Sequence, residues 1–407
     1  MRLLVIVGIL FAIVGLLGCQ GAWGESEALP AVTPDPRGDP GRGLSLMARF
    51  ECSRCHTIAG VTEPVPEKDC VGCHEEILST PKYPAPADVL PKWREAVRPL
   101  AVTPDIPAQT SYFKRAWSEK FLLEPRDIRP NLHPMMPRLA IAPDEARDIA
   151  TALAPSDEEP VSWKDTDLAR GRKLIEEKGC GSCHAFSGVH PLPDAPPALA
   201  PGSVPPNAVA LAPDLRFARD RLHVKGLIAW LRNPDSVKPG ALMPSMKLSL
   251  REARDIARYV MTAELAKETA PKLAPRLPLL ERRVTYEEVS QKVFRKTCWH
   301  CHAEPDYGIG DGGPGNTGGF GFKPRGLSLA DYEGIASGYV DDKGERQSVF
   351  ALTKEGMPRL VGSLVARRDE MAGYSSPSIR GMPLGLPPLE PEEIQLVESW
   401  IAQGRPE

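Results

Sequence analysis

The sequence predicts an all-α, loop-rich chain made of three similar bodies in tandem. Three observations carry that expectation. Apolar residues recur at helical spacing, as at Ile394, Val397 and Ile401, and no segment alternates convincingly as a strand would. The 407 residues include 44 prolines, about twice the average usage, which implies long irregular connections. The chain also repeats itself. "RGLSLMARFECSRCH" (42–56) aligns without gaps on "RGRKLIEEKGCGSCH" (170–184), and "MPRLAIAPDEARDIATAL" (136–153) on "MPSMKLSLREARDIARYV" (243–260). A looser copy runs from "TYEEVSQKVFRKTCWHCH" (285–302) to "MPLGLPPLEPEEIQLVESWI" (382–401).

The N-terminus reads "MRLLVIVGILFAIVGLLGCQ". Arg2 precedes an apolar run from Leu3 to Leu17, short for a membrane span and suited to the core of a secretory signal. The ending "LLGC" resembles the bacterial lipobox, which makes residues 1–18 a signal peptide and Cys19 the lipidated first residue of the mature chain. Signal cleavage nearby and an uncleaved anchor are the alternatives. In each case the body is exported, to the periplasmic side of a bacterial membrane, inner or outer. Gln20 stands where an aspartate is often linked to inner-membrane retention in some bacteria. Residues 19–40 are Pro/Gly-rich and read as a flexible tether.

Proline- and charge-rich breaks at "APSDEEPVSWKD" (154–165) and "KETAPKLAPRLPLLERR" (267–283) then leave bodies at 41–156, 166–266 and 284–407. Each reads helix, cysteine motif, long loop, Met-Pro, terminal helix. Pro143 and Pro391 suit a first helical turn, and Ser249 with Glu252 makes a capping box. Hydrophobic content of 42% and charged content of 25% are ordinary for a globular protein, and a net charge of −3 with no Lys/Arg block points away from nucleic acid.

The cysteines carry the chemistry. There are nine: Cys19, and four pairs at Cys52/Cys55, Cys70/Cys73, Cys180/Cys183 and Cys298/Cys301, each followed at once by a histidine, His56, His74, His184 and His302. Cys-x-x-Cys-His is the c-type haem attachment motif. Cysteines three apart on one helical turn point the same way, so both sulfurs can bond the vinyl groups along one haem edge. The adjacent histidine turns its imidazole under the iron as proximal ligand. A zinc knuckle, a redox Cys-x-x-Cys or structural disulfides would need no histidine after every pair. The expected cofactor is four covalently attached haem c groups.

A helix, "CxxCH", then a late "MP" before an amphipathic terminal helix resembles the class I cytochromes c, in three copies over most of residues 41–405. The third copy resembles the variants that end "MP…L…EEI…WI…G". That resemblance implies that the late methionines, Met136, Met243 and Met382, are distal iron ligands, with Met357 in "EGMPRL" a rival to Met382. It implies an electron-transfer function.

The first body holds more chain between its shared ends than the second, and "KDCVGCHEEI" (68–77) lies in that enlarged middle. Met136 belongs with the haem on Cys52 and Cys55, so the haem on Cys70 and Cys73 lacks a repeat-derived partner. His133, in "NLHPMMPRL", is the first candidate; Met135, another residue or an open position are the alternatives. Three extended residues span about 10 Å, so one loop can serve two irons. His300 lies inside "CWHCH", where the x-x residues face away from the iron, and is expected at the surface or on a propionate. His223 reads as structural, and the loop residue His190 is left open. "GIGDGGPGNTGGFGF" (308–322) has no strand before it and is not a nucleotide loop.

The expected function is that of an exported, lipid-anchored four-haem carrier passing single electrons between a membrane-associated respiratory donor and a downstream acceptor. Its partners are redox proteins, including a membrane respiratory complex, and the membrane itself through the lipid. The alternative is a haem enzyme, peroxidase-like or acting on another small molecule, with an open site at the Cys70/Cys73 haem. Glu75 and Glu76 would be its acids, against the simpler reading of a solvated helix face. A third reading is an obligate subunit of a respiratory or photosynthetic complex.

Overall fold

The computed structural model describes residues 38–407 apart from 99–102, 104–105, 107–109, 127, 131, 133–135, 155–159, 194–205, 269–271, 304–325, 342 and 377. Cys19, the tether up to residue 37, His133, Met135 and the glycine-rich stretch 308–322 therefore lie outside the described residues. Among the described residues no helix is long and apolar enough to cross a membrane.

The first stretch folds as α1 (Pro40–Arg49), α2 (Cys70–Ser79), α3 (Leu90–Val97), α4 (Arg115–Leu123) and α5 (Pro143–Leu153). Asp39 caps α1 by accepting from Gly41 N at 2.8 Å and Arg42 N at 3.1 Å. Helices α1 and α5 cross at Gly43, where a Cβ would overlap the Asp148 carbonyl. The Asp148 carboxylate, 5% exposed, accepts from Asp39 N at 2.9 Å and meets Arg42 Nη1 at 2.9 Å. Leu46, Met47, Ala146, Ile149 and Ala150 fill the crossing.

The second stretch repeats this joint. It comprises α6 (Leu168–Glu177), α7 (Pro206–Leu211), α8 (Ala218–Arg221), α9 (Val224–Arg232), α10 (Pro234–Val237) and α11 (Leu250–Thr262). Here Gly171 abuts the Asp255 carbonyl. The fully buried Asp255 accepts from Asp167 N at 2.8 Å and pairs with Arg170. The shared "EARDIA" thus has a physical basis. Its aspartate is a buried anion, stabilised by an arginine and by the N-terminal cap of the opposing helix, so its desolvation is offset.

The third stretch holds α12 (Tyr286–Val289), a π-helical run (Ser290–Cys298), α13 (Trp299–His302), α14 (Tyr332–Ser337), α15 (Arg359–Met371) and α16 (Pro391–Ala402). Its joint is aromatic. The fully buried Trp400 on α16 has the rings of Tyr286, Phe294, Tyr332 and Phe350 around it at 5.9 to 6.2 Å between centroids.

The all-α expectation needs one correction. β1 (Tyr339–Val340) and β2 (Arg346–Gln347) pair antiparallel, Tyr339 opposite Gln347. The turn between them is built on Asp341, whose carboxylate accepts from Lys343 N and Glu345 N at 2.9 Å, and on Gly344 at φ 85°. Two residues per strand are too few for an alternating pattern to register.

Among the described residues most buried apolar side chains fall into four clusters. Three surround the crossings just described. The fourth, Ile77, Val89, Trp93 and Val97, belongs to the α2–α3 hairpin. Arg94 fastens that hairpin, donating from Nε to the Ile77 carbonyl at 3.1 Å and from Nη2 to that of Thr80 at 2.6 Å. The chain enters and leaves through a neck where Ala59 N donates to Ile106 O at 3.1 Å and Ile106 N to Thr57 O at 2.9 Å. All described residues belong to one compact unit, Thr33–Glu407.

Candidate haem-attachment sites

Every cysteine pair sits on a helical turn, reached in three ways. In the first and third motifs a left-handed residue, Glu51 at φ 52° or Gly179 at φ 68°, ends the preceding helix, and a 3₁₀ turn carries the cysteines. In the second, Cys70 opens α2, with Asp69 as N-cap accepting from Gly72 N at 2.8 Å. In the fourth, the π-helical run ends at Cys298 and α13 carries Cys301 and His302. None of the eight cysteines forms a disulfide. Among the described residues no group of three or more His, Cys, Asp and Glu side chains is arranged to hold a bare metal ion.

The residues fit haem. His184 Nδ1 lies 2.8 Å from the Pro213 carbonyl and His302 Nδ1 lies 3.3 Å from that of Leu327. A carbonyl only accepts, so Nδ1 carries the proton and Nε2 keeps its lone pair for iron. Burial pushes both imidazoles below their ordinary pKa, which keeps them neutral. Arg221 Nε, whose side chain bears electrostatically on His184, is buried with no hydrogen-bond partner among the described residues. Burial and the nearby Arg129 charge push Arg221 down to about 10, a cationic setting that suits propionates.

Met136 and Cys52 pack against one cluster, Met243 and Cys180 against a second that Met246 and Met261 also join, and Met382, Met357 and Cys298 against a third. Cluster membership does not separate Met382 from Met357. Trp230 Nε1 donates to Met243 Sδ at 2.8 Å, leaving the sulfur a second lone pair. Cys73 packs in the α2–α3 cluster, in which no methionine takes part among the described residues. His223 caps α9 and His190 is exposed.

Three of the motifs meet, which sequence spacing does not reveal. A hydrogen bond between the Cys55 and Cys70 sulfurs raises the first thiol and lowers the second. Cys301 exposes much of its surface, yet the protein packed about its sulfur pushes the thiol up to about 11, with Cys70 adding to the effect and Arg54 opposing it. Thioether formation removes these protons, so the shifts report proximity. Arg54, the second x of "CSRCH", is 2% exposed at this meeting point. Sequence reading passed over it; the signal that could have marked it is a charge inside an attachment motif.

No family model matches the chain, and no solved structure matches it. Over 107 residues it is 32% identical to cytochrome c oxidase subunit 2 of Bacillus subtilis (strain 168). That stretch is 24% of this chain and 26% of the relative, so the chain spans about a quarter of the protein it matches.

Proposed function

We propose that the chain is an exported, lipid-anchored four-haem c-type cytochrome that transfers single electrons between a membrane-associated respiratory donor and a downstream acceptor. The observation that carries this reading is the set of four Cys-x-x-Cys-His motifs, each on a helical turn. The partial likeness to a respiratory oxidase subunit supports an electron-transfer role and redox partners. The three clusters at the helix crossings support three cytochrome c-like bodies in tandem, the first with two haems.

Haem iron, when bound, supplies a one-electron couple. The eight paired cysteines would attach the groups through Sγ, and His56, His74, His184 and His302 would hold iron through Nε2. Met136, Met243 and Met382 would hold it through Sδ. His74 and His302 stand on helices, His56 and His184 directly follow helical turns, and Met136, Met243 and Met382 lie in the loops that lead to the terminal helices. Cys19 carries the lipid. Glu75 and Glu76 beside His74 are exposed, as a solvated helix face is.

Two measurements test the reading. Haemochrome absorbance against protein mass is expected to give four haems per chain, and fewer would overturn it. Film voltammetry is expected to show reversible one-electron waves that peroxide and nitrite leave unamplified. A catalytic current would instead support the enzyme.

A further inference from the structure

The distal ligand of the Cys70/Cys73 haem need not come from its own body. We propose that it is His300, from the middle of the fourth motif, so that one iron joins α2 to α13. This rests on the four-haem reading above and deepens it.

The geometry points there. The ring centroids of His74 and His300 are 6.4 Å apart, with the planes inclined at 36°. A coordinating ring nitrogen lies about 2 Å from its metal and about 1.2 Å from its own ring centre, so imidazoles on opposite sides of one iron have centres about 6.3 Å apart. A direct hydrogen bond between two such rings would bring the centres to about 5.2 Å, and stacking would bring them closer still. The observed separation is the one that an iron between the two rings requires.

Position supports it. As an x-x residue of "CWHCH", His300 is expected to face away from the haem of its own motif. The two motifs also meet at a second point, since Cys70 bears on the Cys301 sulfur. Around the α2–α3 hairpin no methionine competes among the described residues. A haem with two histidines has a lower potential than those held by histidine and methionine, because a methionine ligand raises it. The lowest step of the chain would then lie between the first and third bodies.

The test is low-temperature EPR and potentiometric titration of the full oxidised holoprotein, with His300→Ala, His300→Met and His133→Ala, each checked for haem content. All four haems are expected low-spin in the parent. In His300→Ala one of the four signals becomes high-spin and returns on adding imidazole, while His133→Ala leaves all four in place. In His300→Met the lowest potential rises. The proposal is overturned by a high-spin haem in the parent, by conversion in His133→Ala, or by four unchanged signals in His300→Ala. If His300→Ala yields no holoprotein, the potentials of His300→Met decide, and four unchanged values overturn it. Fewer than four haems in the parent would instead count against the underlying reading.

Discussion

Glu51 holds Arg54 Nη2 at 2.6 Å with one carboxylate oxygen and Lys68 Nζ at 2.7 Å with the other. It does so from φ 52°, where its repeat counterpart is Gly179 at φ 68°. A left-handed non-glycine residue costs about 1–3 kcal/mol, so the charge contacts offset backbone strain. The link ties the first motif to the residue before the cap of the second.

Glu51→Gln keeps the strain and takes a carboxylate from beside a guanidinium only 2% exposed. It is expected to destabilise by about 1–3 kcal/mol. Glu51→Gly loses the same contact but relieves the strain, so the smaller substitute is the milder change. Thermal unfolding of both variants checks the order, and a glycine variant less stable than the glutamine one would refute it.

Gly43→Ala and Gly171→Ala force a methyl group against a backbone carbonyl in the crossing helix. Each is expected to cost about 1–3 kcal/mol. Gly240→Ala is a control: its φ is 73° with nothing within 4 Å of the added Cβ, so only backbone strain is felt. Denaturant midpoints compare the three. A control as damaging as Gly171→Ala would show that the close approach is not what matters.

Glu119 on α4 is 1% exposed and lies 3.5 Å from Arg147 on α5. Burial raises its pKa, with Arg147 opposing. The folded state therefore holds the proton more tightly than the unfolded one. Its contribution is full below the ordinary carboxylate pKa and is lost as pH rises through the raised value. Glu119→Gln is expected to flatten the fall in stability above the ordinary carboxylate pKa. Urea titrations at a series of pH values measure it; an unchanged slope would mean that Arg147 cancels the effect of burial, and a steeper fall that it outweighs it.

Met243→Leu is expected to abolish the long-wavelength absorbance band of one methionine-ligated ferric haem and to lower its potential. Met382→Leu should do the same for another haem, with Met357→Leu silent. If Met357→Leu removes the band and Met382→Leu does not, the assignment in the third body reverses.

Local chemistry made much of this legible. The capping box at Ser249 and Glu252 forms, and Pro143 and Pro391 open their helices. What escaped was relational. The packing of Gly43 and Gly171 on a carbonyl depends on a helix about a hundred residues away, although the shared "RG" and "EARDIA" mark both sides of the joint. The nearness of Cys55, Cys70 and Cys301 has no local signature. Nor does spacing show that the rings of His300 and His74 lie 6.4 Å apart, since the two come from distant parts of the chain.

The excursion between Ile58 and Ile106 has further meaning. Its neck is closed by backbone pairing, and its interior is filled by its own Ile77, Val89, Trp93 and Val97. It is a cassette with a core of its own, tied to its host by Lys68 on Glu51. In a lineage of such chains, a further Cys-x-x-Cys-His motif can therefore be gained by insertion into one loop, without duplicating a whole body.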